Sequence, residues 1–348
     1  MLMRLLQALP LNGVARVGRF FGGLVYYCDA RHRRVAIRNL TLCFGAEKSP
    51  AEIRAIAREN FKRIGENFSC PVKMAIMGRV TFDERIELAG TEKLTARDVP
   101  PSTSVIMAVG HFGNFELLAH LKYGMPTHEF ATTYRAVRNP AVNKILGQLR
   151  ASTGCLFFER RSEGAALRNA LRTNNLVLGL LSDQHSGDNG LRLPFLGHDC
   201  NTSKAPAIFA LRFNAPLYTA ICYRTQLAHW RVEVGEEIPT HENGQPRSLA
   251  AIMLDVNRAF EAAVRRDPAN WFWVHNRWKK SKLIAVAEQK DQSLSSSGGE
   301  EMECQAIPIN SKLTDNSSSS PPLGERVGVR GRVVSTPGEA NDLEDLQS

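Results

Sequence analysis

His111 and Glu116 lie five residues apart in Val105-Ile106-Met107-Ala108-Val109-Gly110-His111-Phe112-Gly113-Asn114-Phe115-Glu116, an H-x-x-x-x-E motif that follows an apolar run. An imidazole held by a carboxylate is a general base for a hydroxyl, because the carboxylate fixes one tautomer and stabilises the imidazolium. Gly110 and Gly113 permit a tight turn and a close approach of backbone to ligand, and Asn114 is placed to cap a helix over 115–123. Glu116 falls in the first turn of that helix, where the dipole favours an acid and where it can reach back to the ring. The plainer alternative is that His111 fills a turn and Glu116 is an ordinary first-turn acid. A third ligand at metal spacing is missing from the sequence, so no metal site is expected.

Other candidates follow apolar runs in the same way. Arg135 comes after 130–134 and suits a phosphate or an acyl carbonyl, the alternative being a surface arginine. Asp183 and Gln184 come after 176–181 and should face the same crevice as His111. There Asp183 would orient Arg135 or acceptor hydroxyls, or else only form the turn before Ser186-Gly187-Asp188-Asn189-Gly190. Arg160 and Arg161 are weaker phosphate candidates. Trp271, Phe272, Trp273 and Trp278, with Lys279 and Lys280, mark either a membrane interface or ordinary packing.

The elements that must position these residues are legible from periodicity. Strands are expected over 104–109, 130–134, 155–158, 176–181 and 217–223, alternating with helices over 115–123, 141–152, 163–172 and 203–213. Such alternation predicts an α/β fold with a mainly parallel sheet flanked by helices. A further strand over 230–234 is expected to pair antiparallel at an edge, and a closing helix carries Leu249, Ile252, Val256, Phe260 and Val264. The first 85 residues read as a helical, membrane-associating region. Leu2, Leu5, Leu6 and Leu9, then Val14, Val17, Phe20, Phe21, Leu24 and Val25, recur at helical spacing beside the basic run at 31–34. A core-facing helical hairpin is the alternative. Ser49-Pro50-Ala51-Glu52 is a capping box with proline at the first helical position. The α/β region is expected over 86–286 and a disordered, low-complexity tail over 287–348.

Charge and cysteine usage bound the function classes. From Gln289 onward five Lys/Arg face ten Asp/Glu, a charge of −5, so with a net charge of +9 the preceding part carries +14. That surface suits anionic partners such as lipid head groups or an acidic carrier protein; nucleic acid is not expected, since no binding motif accompanies the charge. The seven cysteines are odd in number and form no C-x-x-C pair, which argues for a reducing compartment. The sequence also lacks a run of roughly 18 apolar residues, the length of a spanning helix.

The flanks of the motif, Ile-Met-Ala-Val-Gly-His-Phe-Gly-Asn-Phe-Glu, resemble the catalytic segment of the late lauroyl/myristoyl acyltransferases of lipid A biosynthesis. The resemblance extends to Arg31-His32-Arg33-Arg34, to Asn39-Leu40-Thr41-Leu42-Cys43-Phe44 and to Tyr134-Arg135 with Asn139-Pro140. It continues through Ser182-Asp183-Gln184, Pro194-Phe195-Leu196-Gly197 and Trp273 to Lys279, so that about 9–282 is covered. Gly45 stands where a proline usually follows C-F.

The resemblance implies a glycerolipid acyltransferase-like fold and an enzyme at the cytoplasmic face of the inner membrane. His111 as base and Glu116 as its partner would pass an acyl group from acyl carrier protein, or from acyl-CoA, to a hydroxyl of a lipid A precursor. Arg135, Asp183, Gln184, Gly113 and Asn114 would contact the substrates. The oxyanion would be met by backbone amides near Gly113 and Asn114 or by a cation such as Arg135. No cofactor is required, since a thioester is already activated. Alternatives are action on another glycolipid or a lysophospholipid, and a non-catalytic lipid-binding protein at the membrane surface.

Overall fold

The computed structural model describes residues 2–95, 104–123, 128–135, 147, 153–173 and 175–279. The helix expected over 141–152, apart from residue 147, and the tail expected over 287–348 lie outside them.

Four helices open the chain: α1 (Leu2–Ala8), α2 (Leu11–Cys28), α3 (Ala30–Phe44) and α4 (Pro50–Met74). The capping box at Ser49 forms as the sequence predicts, Ser49 Oγ accepting from Glu52 N and Ser49 N donating to the Glu52 carboxylate. Helices α2 and α4 touch backbone to backbone, because a Cβ at Gly18, Gly22 or Gly65 would collide with the facing main chain. The packed face of α2 carries Leu11, Val14, Ala15 and Tyr26, while Phe20, Phe21, Leu24, Val25 and Tyr27 remain exposed on its other side. The core-facing alternative describes the first of these faces; the second is an exposed apolar stripe.

After α5 (Arg79–Arg85) come β1 (Ile86–Ala89), α6 (Glu92–Thr95), β2 (Val105–Val109), a 3₁₀ helix over Phe115–Tyr123, β3 (Glu129–Tyr134), β4 (Leu156–Glu159), α7 (Gly164–Thr173) and β5 (Leu176–Leu181). A hairpin, β6 (Leu191–Phe195) with β7 (His198–Thr202), precedes α8 (Ala205–Arg212), β8 (Leu217–Gln226) and β9 (His229–Val234). A short ribbon, β10 (His241–Glu242) with β11 (Gln245–Pro246), leads into α9 (Leu249–Arg266) and a 3₁₀ turn at Pro268–Asn270. The main sheet has the order β1-β9-β8-β2-β5-β3-β4, parallel except between β8 and β9. The predicted mixed α/β class with a mainly parallel sheet is thus observed.

Three local expectations are corrected. Strand β9 is antiparallel to β8 but is not the edge, because the four-residue β1, too short to show alternation, pairs parallel outside it. The segment after His111 is 3₁₀ rather than α-helical. Asn114 does not cap it with its side chain, which is fully buried with both polar atoms unpaired; its main-chain carbonyl accepts from Leu117 N instead.

Both sheet faces are covered. Ile106, Ala108, Leu178 and Leu180 share a core with α8, α9 and residues of α3 and α4, including Leu40, Phe44, Ala57 and Phe61. Met107, Val109 and Val177 face the opposite way, toward Leu11, Val14, Leu117 and Leu121. The opening helices also reach across to the end of the described chain. Asn39 donates to the carbonyls of Trp273 (3.0 Å) and His275 (2.8 Å), and Asn60 to those of Ala269 (2.9 Å) and Trp271 (2.5 Å). Two asparagines on neighbouring helices thereby clamp an irregular segment whose carbonyls no strand would satisfy. Replacing Asn60 by alanine takes the side-chain donor from the Ala269 carbonyl and one of two donors from the Trp271 carbonyl, which keeps Trp273 N at 3.0 Å, and chemical denaturation should show a loss of about 1–3 kcal/mol; an unchanged midpoint would mean that these bonds contribute nothing.

Glu66 of α4 is the second fastening. Fully buried, it accepts from Arg224 Nε (2.8 Å), Ala228 N (2.8 Å) and Arg19 Nη1 (3.3 Å), tying the opening helices to β8 and the turn that follows it. Its charge is matched by two guanidinium groups, the condition under which a buried carboxylate is tolerated.

Candidate active site

Strands β2 and β5 are parallel neighbours with Val109 opposite Leu181. Their chains leave the sheet in the same register, Ser182 N donating to Val109 O at 3.0 Å, so that two residues further on His111 meets Asp183. His111 Nδ1 lies 2.7 Å from Asp183 Oδ1, and His111 N donates to Asp183 Oδ2 at 2.8 Å. Trp271 Nε1 donates to the same Oδ2 at 2.8 Å. An ionised carboxylate only accepts, so Nδ1 carries the ring proton and Nε2 keeps its lone pair.

Burial alone would raise the pKa of Asp183, but the adjacent His111 ring, the two bonds from His111 and the Trp271 indole outweigh it and hold the carboxyl at about 2. The depressed value has a defined sign: the carboxylate and its contribution to folding are present above about pH 4 and are lost only as the pH falls toward 2. The ring of His111 sits between Phe115, 4.7 Å away centroid to centroid, and Phe272, 5.8 Å away.

The carboxylate bonded to Nδ1 is therefore Asp183, in the role that the sequence spacing gave to Glu116. Glu116 lines the cavity beside His111, as does Arg135. That cavity has a volume of about 300 Å³ and runs between the 3₁₀ helix and the face of β2, β3 and β5 that carries Met107, Phe130 and Val177. It is mostly apolar with a few polar groups at His111, the usual form of a small-molecule site.

Gly113 adopts φ +48°, and a Cβ there would strike the Cys222 carbonyl; the glycine is needed for conformation and for space. The amides near it are already engaged. Gly113 N donates to Asn270 O (2.9 Å) and Phe112 N to Gly110 O (2.8 Å), while the main-chain N–H of Asn114 works against the rise that burial imposes on the pKa of the Cys222 thiol. The Gly113 amide is thus committed to Asn270 O, while Arg135 lines the cavity beside His111.

Gln184 contributes its main-chain carbonyl, which accepts from Arg277 Nη1 at 2.6 Å. Arg277 is fully buried and also donates to Asn201 O (2.8 Å) and Thr202 Oγ1 (2.8 Å), locking the loop after β5 to strand β7. Arg160 and Arg135 lie near enough that burial first and then Arg135's charge lower the pKa of Arg160, a pairing suited to an anionic ligand. Of the aromatic cluster, Trp271 and Trp273 are core residues rather than interface anchors.

Sequence reasoning missed Trp271 and Arg277 as supports of the site. Trp271 was noted only for its aromatic character, and Arg277 only as part of the segment from Trp273 to Lys279 that carries the resemblance. Their roles depend on contacts with residues far away in the chain, Asp183 for Trp271 and Gln184, Asn201 and Thr202 for Arg277, and no local pattern announces these.

Comparison with curated proteins gives no match to this chain. The family model of the bacterial lipid A biosynthesis acyltransferases matches residues 1–280, a span that contains the His111–Asp183 pair, the cavity beside it and the clamped segment behind it. The chain therefore belongs to the bacterial lipid A biosynthesis acyltransferase family.

Proposed function

We propose that the protein transfers a fatty acyl group from a thioester donor, acyl carrier protein in preference to coenzyme A, to a hydroxyl of a lipid A precursor at the cytoplasmic face of the inner membrane. The observation that carries this reading is an imidazole fixed by Asp183 at Nδ1, with its other nitrogen uncommitted among the described residues, beside a largely apolar cavity. His111 Nε2 takes the proton of the acceptor hydroxyl, whose oxygen attacks the thioester carbonyl. The C–S bond breaks, an ester forms, and the imidazolium returns its proton to the departing thiolate. Asp183 holds the imidazolium while charge develops. Arg135 faces the oxyanion or a phosphate of the substrates, and Glu116 orients the acceptor.

Labelled acyl groups offered on carrier protein and on coenzyme A, with a panel of lipid A precursors and lysolipids, test this directly. The expected product is an acylated lipid A precursor formed from the carrier protein. Transfer to lysolipids alone would replace the pathway, and no transfer at all would remove the enzyme reading in favour of lipid binding.

Among the described residues no helix is long and apolar enough to cross a membrane. We assign membrane contact to the exposed stripe of α2, where Phe20 and Phe21 are 64% and 58% exposed. Such a helix lies in the interface with its apolar side down. Changing Phe20→Ser and Phe21→Ser together should weaken co-sedimentation with phosphatidylglycerol-containing vesicles at least tenfold, as expected if roughly 1.5–3 kcal/mol is lost per aromatic ring. Undiminished sedimentation would place the contact elsewhere.

A further inference from the structure

Among the described residues that line the cavity beside His111, one has no side chain. Gly179 lies in the middle of β5, flanked by Met107 on β2 and Thr132 on β3, and lines the cavity with both. Its neighbours along the same face of β5 are Val177 and Leu181, which also line the cavity. Glycine in a strand interior forfeits packing and costs backbone entropy, and it commonly marks close approach of a ligand or another backbone. The position is not required by backbone conformation, for Gly179 is absent from the positive-φ residues. Nor is it required by crowding. Among the described residues a Cβ there would meet only Val109 Cγ2 at 3.6 Å and Ala131 O at 3.7 Å, ordinary van der Waals contacts. A larger side chain is therefore compatible with the strand, and beyond its Cβ it would extend into the cavity.

We infer that Gly179 sets the length of the hydrocarbon chain the enzyme transfers, the missing side chain leaving the passage from His111 down to Val177 open. The inference rests on the acyl-transfer reading above. Along the strand, Gly179 is four residues from Asp183, about 13 Å at the rise of a parallel strand. A leucine at 179 would close the cavity at that depth and leave the reacting end beside His111 unaltered.

The test compares wild type, Gly179→Ala and Gly179→Leu with a series of carrier-protein donors from octanoyl to palmitoyl, reading kcat/KM for each. The optimum should move to shorter chains in the order wild type, alanine, leucine. The ratio of the wild-type optimum to a donor several carbons shorter should fall at least tenfold in Gly179→Leu, the scale on which apolar pockets discriminate methylenes. Thermal unfolding of the alanine variant at or above the wild-type temperature shows that the strand accepts the change, and this variant carries the test if the leucine one does not fold. Equal loss at every chain length, or an unchanged profile, would overturn the inference while leaving acyl transfer intact. Absence of transfer by the wild type would overturn both.

Discussion

Replacing His111 by alanine is expected to lower kcat for acyl transfer by about 10²–10⁴-fold, the usual contribution of a positioned general base. KM for the donor should change little, because the cavity walls formed by Met107, Phe130 and Val177 remain. The split distinguishes loss of a group that acts in the transition state from loss of ground-state binding. The fold should survive. The His111 side chain is 16% exposed, and the main-chain bond from residue 111 to Asp183 does not depend on the ring. Steady-state kinetics on the purified variant, with thermal unfolding as a control, checks the result. A kcat within tenfold of wild type in a folded variant would remove His111 as the base and return the motif to a turn.

How much of this was legible in the sequence depends on the range of the interaction that fixed each feature. The strands β2, β3, β4, β5 and β8 were readable as apolar runs, and the Ser49 capping box as a four-residue pattern, because both signals are local. The carboxylate partner of His111 was not. A sequence shows Glu116 five residues away, whereas Asp183 is 72 residues away and arrives through the parallel register of β2 against β5. Asp183 was placed in the right crevice by the rule that strand ends face a common site, but no rule of spacing couples it to a given ring. The same limit applies to Trp271, whose indole reaches Asp183 only because Asn60, more than two hundred residues earlier, holds its carbonyl. The 3₁₀ form of Phe115–Tyr123 was likewise hidden, since its apolar residues fit an α-helical period equally well.

Asp183→Asn should be the most informative single change, because it keeps the shape of the site and reverses its proton inventory. In the native protein Oδ2 accepts from both His111 N and Trp271 Nε1, and Oδ1 faces His111 Nδ1. An asparagine must satisfy the same two donors with its one oxygen, which turns its NH₂ toward Nδ1. Nδ1 then becomes an acceptor and the ring proton moves to Nε2, where the lone pair is needed. The corresponding aspartate-to-asparagine change in a serine protease triad costs about 10⁴ in kcat through the wrong tautomer, and a loss of about 10³–10⁴-fold is expected here. Glu116→Gln, made in parallel, leaves the Asp183 pair in place and should cost roughly tenfold or less, the scale of an interaction that only positions a substrate. If the glutamine variant lost as much as the asparagine one, Glu116 would regain the partner's role that its spacing suggested. Acid sensitivity supplies an independent check on the native pair. With its carboxyl held at about 2, Asp183 stays ionised at every pH at which the enzyme would be assayed. Any fall in wild-type kcat between pH 7 and 5 therefore reports protonation of another group, not of this carboxylate.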